Sequence, residues 1–126
     1  MRILVAEADK VVRDQIVVAL ENFGNIEADV ATGIEAIELA RKKEYHCLFV
    51  GLDPGDSGSR DLIDVLRQSA PQRELILLAT ESQTKKLSQN RNEARIFSVL
   101  KKPLVPLEFY RTVSRLRKRL RTAGAV

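Results

Sequence analysis

Short apolar runs alternate along the chain with longer stretches in which apolar residues recur every three or four positions. Each run spans only four or five residues and is bounded by polar or turn-forming residues, which is typical of strands buried in a parallel sheet. The runs predict five strands: Arg2–Ala6, Ala28–Ala31, Cys47–Val50, Leu75–Ala79 and Ile96–Leu100.

The first stretch of helical spacing follows directly after the first strand. Its apolar stripe is formed by Val12, Ile16, Ala19, Leu20 and Phe23. Asp9 stands where an N-cap residue is expected, and Gly24 stands where a glycine commonly follows the end of a helix. The pattern therefore predicts a helix between these two residues.

The second helix is predicted to begin at a capping box, Thr32–Glu35, with Ile34, Ile37 and either Ala40 or Arg41 along one side. A third helix is expected over about Arg60–Ser69. Its apolar residues are Leu62, Ile63, Val65 and Leu66.

The last two helical stretches differ in how much apolar surface they carry. Residues 82–95 contain only Leu87 and Ala94 as apolar residues, so a helix there is expected to be short or mobile. Pro106 suits the first position of the final helix. The apolar stripe of that helix is formed by Phe109, Val113, Leu116 and Leu120.

Strands that alternate with helices predict an α/β fold in which a parallel sheet is covered on both sides. Right-handed connections leave few topologies, and they favour a flavodoxin-like doubly wound (βα)5 sheet with strand order 2-1-3-4-5. In that order the carboxyl ends of four strands meet at one crevice. They deliver Glu7–Asp9, Gly51–Asp53, Ala79–Glu81 and Lys101–Pro103.

The length of 126 residues predicts one domain, over residues 1–121, with 122–126 as a tail or the start of a linker. Cys47 is the only cysteine and lies in an apolar run, which indicates a core thiol and a reducing, cytoplasmic location. The chain contains no apolar run of membrane-spanning length, so no membrane association is expected.

The net charge of +4 belongs to the end of the chain. Six of the 21 basic residues lie from position 111 onward with no acid among them, which leaves 15 basic against 17 acidic residues elsewhere. These six residues are Arg111, Arg115, Arg117, Lys118, Arg119 and Arg121. They lie off the apolar stripe of the last helix, so the simplest interpretation is a solvated helix face.

To about Leu120 the chain resembles the receiver domain of bacterial two-component response regulators. The resemblance is carried by Ile3–Arg13, Glu35–Leu39, Asp61–Arg67 and the Lys102-Pro103 pair. It implies a signalling module that is not itself an enzyme and that acts on protein partners. In that family an aspartate is phosphorylated in the presence of Mg²⁺, and the change is read on the face made by helix four, strand five and helix five.

Several positions depart from what the family uses for phosphorylation. Gly51 stands at the end of strand three, where the resemblance places the phosphoacceptor aspartate, and glycine has no group that could accept a phosphoryl group. The acid pair after strand one reads Glu7-Ala8, so only one carboxylate of the Mg²⁺ site is kept.

Two further positions are also changed. Ala79 replaces the hydroxyl residue after strand four, and Val99 replaces the aromatic residue of strand five. Lys102 alone is retained outright. We therefore expect a pseudo-receiver that binds no Mg²⁺ and no other cofactor.

The expected output is a protein–protein contact. The candidate face carries Val99, Lys101, Arg111 and Arg115, and a homodimer through helix four, strand five and helix five is one form that this contact could take. Glu7 and Lys102 are expected to form a structural pair in place of the metal site, and Asp9 to act as a helix cap rather than a ligand.

Two alternatives stay open. A shift of two residues would make Asp53 a working phosphoacceptor. The arginine-rich last helix could instead bind nucleic acid, although without aromatic residues among the arginines only sequence-independent phosphate contacts would be plausible.

Overall fold

Five parallel strands alternate with five helices in the computed structural model, which describes residues 1–52, 58–69, 73–87 and 96–126. The strands are β1 (Arg2–Ala6), β2 (Glu27–Ala31), β3 (Cys47–Gly51), β4 (Glu74–Ala79) and β5 (Ile96–Lys101). The helices are α1 (Lys10–Glu21), α2 (Gly33–Lys42), α3 (Gly58–Ser69), α4 (Glu81–Leu87) and α5 (Pro106–Thr122). Every predicted strand is present within one residue of its expected bounds.

The strand order is β2-β1-β3-β4-β5 and every pairing is parallel, which confirms the predicted fold class. One face of the sheet packs against α2 and α3, where Ala36, Ala40, Ile63 and Leu66 are buried. The other face packs against α1 and α5. There the buried helix residues are Ile16, Leu20, Phe109, Val113, Leu116 and Leu120. Because the central strands are covered on both faces, their side chains are apolar at consecutive positions.

The two ends of α1 differ in how well the sequence predicts them. Asp9 is the N-cap as expected, and its side chain accepts hydrogen bonds from the backbone of Val11 at 2.9 Å and Val12 at 3.3 Å. The prediction of Gly24 after the helix end is wrong. The helix ends at Glu21, and Asn25 rather than Gly24 has the left-handed backbone conformation, with φ 64°.

The start and register of α2 also differ from the prediction. Thr32 is the N-cap, but its side chain makes no capping hydrogen bond. Ile34 is exposed, whereas Ala36 and Ala40 are buried against the sheet. Two alanines allow the helix to approach the strands closely, and this register turns Ile34 toward solvent.

The remaining helices agree with their predictions where the structure describes them. In α3, whose four apolar residues were expected to be buried, Ile63 and Leu66 are buried, Val65 is half-buried, and the side chain of Leu62 lies outside the described residues. Pro106 is the first residue of α5, and the four predicted stripe residues of that helix are buried. The described part of the weakly apolar segment 82–95 belongs to the short α4, and 88–95 lie outside the described residues. Within the described ranges, no helix is long and apolar enough to cross a membrane.

Candidate functional site

The carboxyl ends of three strands bring Glu7, Gly51 and Lys102 together. Glu7 follows β1, Gly51 is the last residue of β3, and Lys102 follows β5. The backbone N–H of Lys102 donates to the carbonyl of Ala79 at 2.8 Å, which continues the β5 pairing with β4. From this anchor the lysine side chain crosses the end of β4 and reaches the neighbouring strands.

Glu7 and Lys102 form a buried ion pair. The Lys102 ammonium lies 3.0 Å from both carboxylate oxygens of Glu7, donates to Oε1, and also donates to the Leu52 carbonyl at 3.3 Å. The Glu7 side chain is fully buried. The backbone N–H of Asp9 donates a second hydrogen bond to Oε1 at 3.1 Å, whereas Oε2 accepts no hydrogen bond. The expected pairing of Glu7 with Lys102 is therefore present, and Lys102 supplies the charge that a buried carboxylate requires.

The Glu7 carboxylate fills the space that a side chain at position 51 would need. A Cβ atom built on Gly51 would overlap Oε2 and Cδ of Glu7 and lie 3.0 Å from Oε1. The φ angle of Gly51 is not in the left-handed region, so this glycine is required by close approach and not by backbone conformation. The glutamate at position 7 and the lack of a side chain at position 51 are thus one structural arrangement.

The other positions near the pair offer few ligands for a metal. Ala8 has no polar side chain, and the Asp9 carboxylate caps α1. Mg²⁺ prefers several hard oxygen ligands, and the Glu7 carboxylate is already bound to an ammonium group. Among the residues that the structure describes, no three His, Cys, Asp or Glu side chains are grouped to hold a metal ion. The described crevice therefore does not fit the Mg²⁺ ion that the resemblance implies.

The hydroxyl nearest to the end of β4 has a structural role. Ala79 is fully buried, and Thr80 follows it. The Thr80 N–H donates to Oε1 of Gln83 at 2.9 Å, and the Gln83 N–H donates to the Thr80 hydroxyl at 3.4 Å. These reciprocal contacts form a capping box at the start of α4. The spacing of Thr80 and Gln83 is the signal in the sequence that could have revealed this motif.

Asp53, the alternative phosphoacceptor, lies outside the described residues. The interpretation of Asp53 is therefore unchanged by the structure.

This chain is similar to known proteins in its structure rather than in its sequence. No protein-family model matches the sequence, and no curated protein matches it. The receiver domain of AraT, a response regulator from Geobacillus stearothermophilus, superposes with a TM-score of 0.83 at 22% identity, covering 98% of this chain and 97% of that chain. The Francisella response regulator 1452 receiver domain gives 0.76 at 26% identity, covering 94% and 97%. The chain has the receiver-domain fold of response regulators.

One similar structure is described as an enzyme. The adenylate cyclase from Rhodopirellula baltica gives a TM-score of 0.82 at 20% identity and covers 98% of this chain and 92% of that chain. Identity this low establishes a shared fold only. The similar structures are mostly receiver domains, which are signalling modules and not enzymes.

The candidate partner face of this receiver fold is basic and open. Lys101, Arg111 and Arg115 are exposed, and Val99 is half-buried. They line an open groove of about 780 Å³ between β5 and α5. Among the described residues that line it, Glu108 is the one acid. The structure thus brings the four predicted residues together on one surface.

The arginines of α5 contact aromatic rings that belong to other elements. Arg115 and Arg119 lie 5.7 and 5.5 Å from the ring centre of Phe97, and Arg117 lies 5.7 Å from that of Phe23. The aromatic residues come from other elements, so the sequence of the helix alone could not reveal them. These contacts give three of the α5 arginines an aromatic neighbour within the domain.

Two residues at the start of β3, Cys47 and His46, have structural roles. Cys47 is fully buried, and burial raises the pKa of its thiol well above the usual value. His46 is half-buried, and its Nδ1 accepts a hydrogen bond from the Arg2 N–H at 2.9 Å. Neither residue faces the Glu7–Lys102 pair.

Proposed function

We propose that this receiver-fold chain is a signalling module that acts through protein–protein contact and is not phosphorylated at the end of β3. The observation that carries the proposal is the Glu7 carboxylate, which occupies the volume of the absent side chain at position 51 and pairs with Lys102. A nucleophilic carboxylate is required for phosphoryl transfer to an aspartate, and Gly51 has none. We propose no enzymatic step.

The charge of Lys102 supports the same proposal. In a receiver this cation faces the phosphoryl group, as the resemblance implies. Here it is 3.0 Å from a carboxylate of its own chain, and a third oxygen, from Leu52, lies at 3.3 Å. The intramolecular pair therefore supplies in every molecule the anion that phosphorylation would supply transiently, and we propose that the crevice stays in one state without a metal.

We propose that the partner is a protein with an acidic surface and that it binds the groove between β5 and α5. Lys101, Arg111 and Arg115 give this face a charge of mainly one sign, which favours an acidic partner. A second copy would bring the same positive charge to the face. A homodimer through α4, β5 and α5 therefore stays a prediction without support from the charge pattern. We further propose a cytoplasmic location, which agrees with the single buried thiol.

Phosphorylation is tested directly by incubating the chain with acetyl phosphate and Mg²⁺ and measuring the intact mass. We expect no adduct. A stoichiometric gain of one phosphoryl group would contradict the proposal. If that gain were lost in Asp53→Asn, the working phosphoacceptor would be Asp53.

A matched variant shows that the assay can detect a receiver phosphorylation in this scaffold. Glu7→Asp/Ala8→Asp/Gly51→Asp restores the acid pair and the acceptor while shortening the side chain that occupies the space at position 51. We expect this triple variant to gain a phosphoryl group. Gly51→Asp alone should not gain one, because Glu7 would still occupy the place of the new carboxylate.

Partner binding is tested by capture from a cell extract after nuclease treatment. We expect Lys101→Glu/Arg111→Glu to lose the captured protein, and we expect Lys42→Glu, an exposed cation on α2, to keep it. Binding that is present in an untreated extract and lost after nuclease treatment would instead favour the nucleic-acid alternative.

A further inference from the structure

The groove between β5 and α5 also exposes the backbone of an edge strand. Within the described part of the chain, β5 is the outermost strand on its side of the sheet and pairs with β4 alone. Four consecutive residues of β5, 98–101, line the groove. Because consecutive side chains of a strand point to opposite faces of the sheet, a groove that reaches all four runs along the backbone itself.

The sheet register shows which backbone groups face this groove. The Lys102 N–H donates to the Ala79 carbonyl at 2.8 Å, so Leu100, two residues earlier, also points its backbone groups toward β4. Val99 and Lys101 alternate with these residues, and their N–H and C=O groups point away from β4. Among the described residues, none forms a hydrogen bond with these four groups. Unpaired backbone groups at a sheet edge are a template for a further strand.

Basic side chains lie on both sides of this edge. Lys101 is the last residue of β5, and Arg111 and Arg115 line the groove from α5. The guanidinium of Arg115 lies 5.7 Å from the ring centre of Phe97, a β5 residue, which holds it beside the strand. A lysine on an edge opposes pairing with a like-charged strand, so a second β5 edge is disfavoured and an acidic strand is favoured.

The spacing of the two arginines matches that of an extended chain. Arg111 and Arg115 are both exposed and lie four residues apart on one helix, which is about 6 Å along its axis. Alternate residues of a strand are about 6.6 Å apart and point to the same face of the sheet. Two acids at alternate positions of a strand beside β5 can therefore each meet one arginine.

The opposite edge of the sheet has a different charge pattern. The Glu27 N–H donates to the Met1 carbonyl, so the alternation along β2 points the backbone groups of Val30 away from β1. β2 carries two acids, Glu27 and Asp29, and each is paired with a basic residue. This edge therefore does not attract an acidic strand and serves as an internal control.

Resting on the function proposed above, we infer that the acidic partner binds this groove as an extended segment and adds a sixth strand to the sheet. The segment pairs with the outward backbone groups of Val99 and Lys101. It carries acids at alternate positions, which face Arg111 and Arg115. In this mode of recognition the main-chain hydrogen bonds supply affinity, and the alternate side chains supply specificity.

A synthetic peptide of about eight residues that alternates glutamate and valine tests the inference on the full chain. Hydrogen exchange of the backbone amides, followed by NMR, measures the strand pairing directly. At saturating peptide we expect the exchange of the Val99 and Lys101 amides to slow at least tenfold. The exchange of the Val30 amide, which points outward at the other edge, should not change.

The charge requirement is tested with two variants of the protein. Arg111→Glu/Arg115→Glu should weaken peptide binding at least tenfold, and Lys42→Glu, which changes an exposed cation on α2, should not. Circular dichroism confirms that both variants are folded. Equal binding by the two variants would overturn the inference.

Two N-methylated versions of the peptide test the extended form independently. One version is methylated at its glutamates and the other at its valines. Because alternate residues of a strand turn their N–H groups to opposite sides, only one version should lose at least tenfold in affinity. A loss in both versions would indicate a bound helix, and a loss in neither would indicate contact through side chains alone. Either result would overturn the inference.

Failure of the inference can be told from failure of the proposed function. If Arg111→Glu/Arg115→Glu weakens peptide binding while the exchange of Val99 and Lys101 is unchanged, the groove binds acidic partners in another form. The sixth strand is then wrong, and the acidic partner face stands. A peptide that does not bind at millimolar concentration also overturns the sixth strand, and the capture experiment then decides the proposed function by itself.

Discussion

Two lysine–carboxylate pairs of nearly equal length occupy different surroundings in this domain. The Glu7–Lys102 pair at the carboxyl ends of the strands is 3.0 Å long, and its side chains are 0% and 13% exposed. The Lys43–Asp29 pair at the β2 edge is 3.2 Å long, and its side chains are 53% and 41% exposed. The comparison shows that burial, and not distance, decides how much each residue depends on its partner.

The physical reason lies in the solvent. Water can replace Lys43 around Asp29, and the Tyr45 hydroxyl also donates to the same Oδ2 at 2.6 Å. Water cannot replace Lys102 around Glu7, because the Glu7 side chain is fully buried, and its other donor is the neutral Asp9 N–H. Removing one member of a buried pair leaves an uncompensated charge, whereas removing one member of an exposed pair changes little.

The largest expected effect is that of removing Lys102, compared with removing Lys43. Lys102→Ala should lower the free energy of unfolding by about 3–5 kcal/mol, because it leaves Glu7 buried without its cation. Lys43→Ala should lower it by less than about 1 kcal/mol. Urea unfolding of both variants measures the difference. Equal losses would show that burial does not separate the two pairs.

Two glycines, Gly51 beside the Glu7–Lys102 pair and Gly24 before β2, test whether the position of the Glu7 carboxylate is fixed. Gly51→Ala should destabilise the fold by about 1–3 kcal/mol, because the new methyl group overlaps Glu7. Gly24, which lies just before β2, has open space where a methyl group would lie and no positive φ. Gly24→Ala should therefore be neutral or should stabilise by up to about 1 kcal/mol. In thermal unfolding, the melting temperature should fall in Gly51→Ala and should rise or stay unchanged in Gly24→Ala.

The helix caps after β1 and β2 give the third comparison. Asp9→Ala should cost about 1 kcal/mol, because its side chain bonds two backbone N–H groups of α1. Thr32→Ala should cost clearly less, because the Thr32 side chain makes no capping hydrogen bond. Urea unfolding checks both, and an equal loss would place a capping bond at Thr32 that the structure does not contain.

The smallest effect concerns the pH dependence at the β2 edge. The hydrogen bond from Tyr45, supported by Lys43, lowers the pKa of Asp29, and burial together with Asp29 raises the pKa of Tyr45. Because the Asp29 pKa is depressed in the folded state, Asp29 contributes to the free energy of unfolding above its unfolded pKa of about 3.9. This contribution is lost as pH falls through the pKa of the folded state.

Tyr45→Phe should raise the Asp29 pKa toward its ordinary value, and Tyr110→Phe, whose ring lies away from Asp29, should not. An NMR titration of the Asp29 carboxyl group measures the change. An unchanged pKa in Tyr45→Phe would assign the depression to Lys43 and not to the hydroxyl.

Strand positions were predictable because a buried strand must be apolar at consecutive positions, and the run Cys47–Val50 shows this directly. The register of α2 was not, since the spacing of Ile34, Ile37 and Ala40 agrees with more than one helix face. Which face packs depends on how closely the sheet lets the helix approach. The aromatic contacts of the α5 arginines were missed for a similar reason, because Phe97 and Phe23 belong to other elements.

The amino-acid sequence alone determined the alternation of strands and helices, the lack of a side chain at Gly51 and the positive charge of Lys102, since each depends on residue type and local spacing. Only the tertiary structure decided what replaces the missing side chain. Positions 7, 51 and 102 are far apart in the chain, and the overlap of the Glu7 carboxylate with the space beside Gly51 depends on where three strand ends meet. Local pattern records which groups are present, whereas packing determines which of them share one volume.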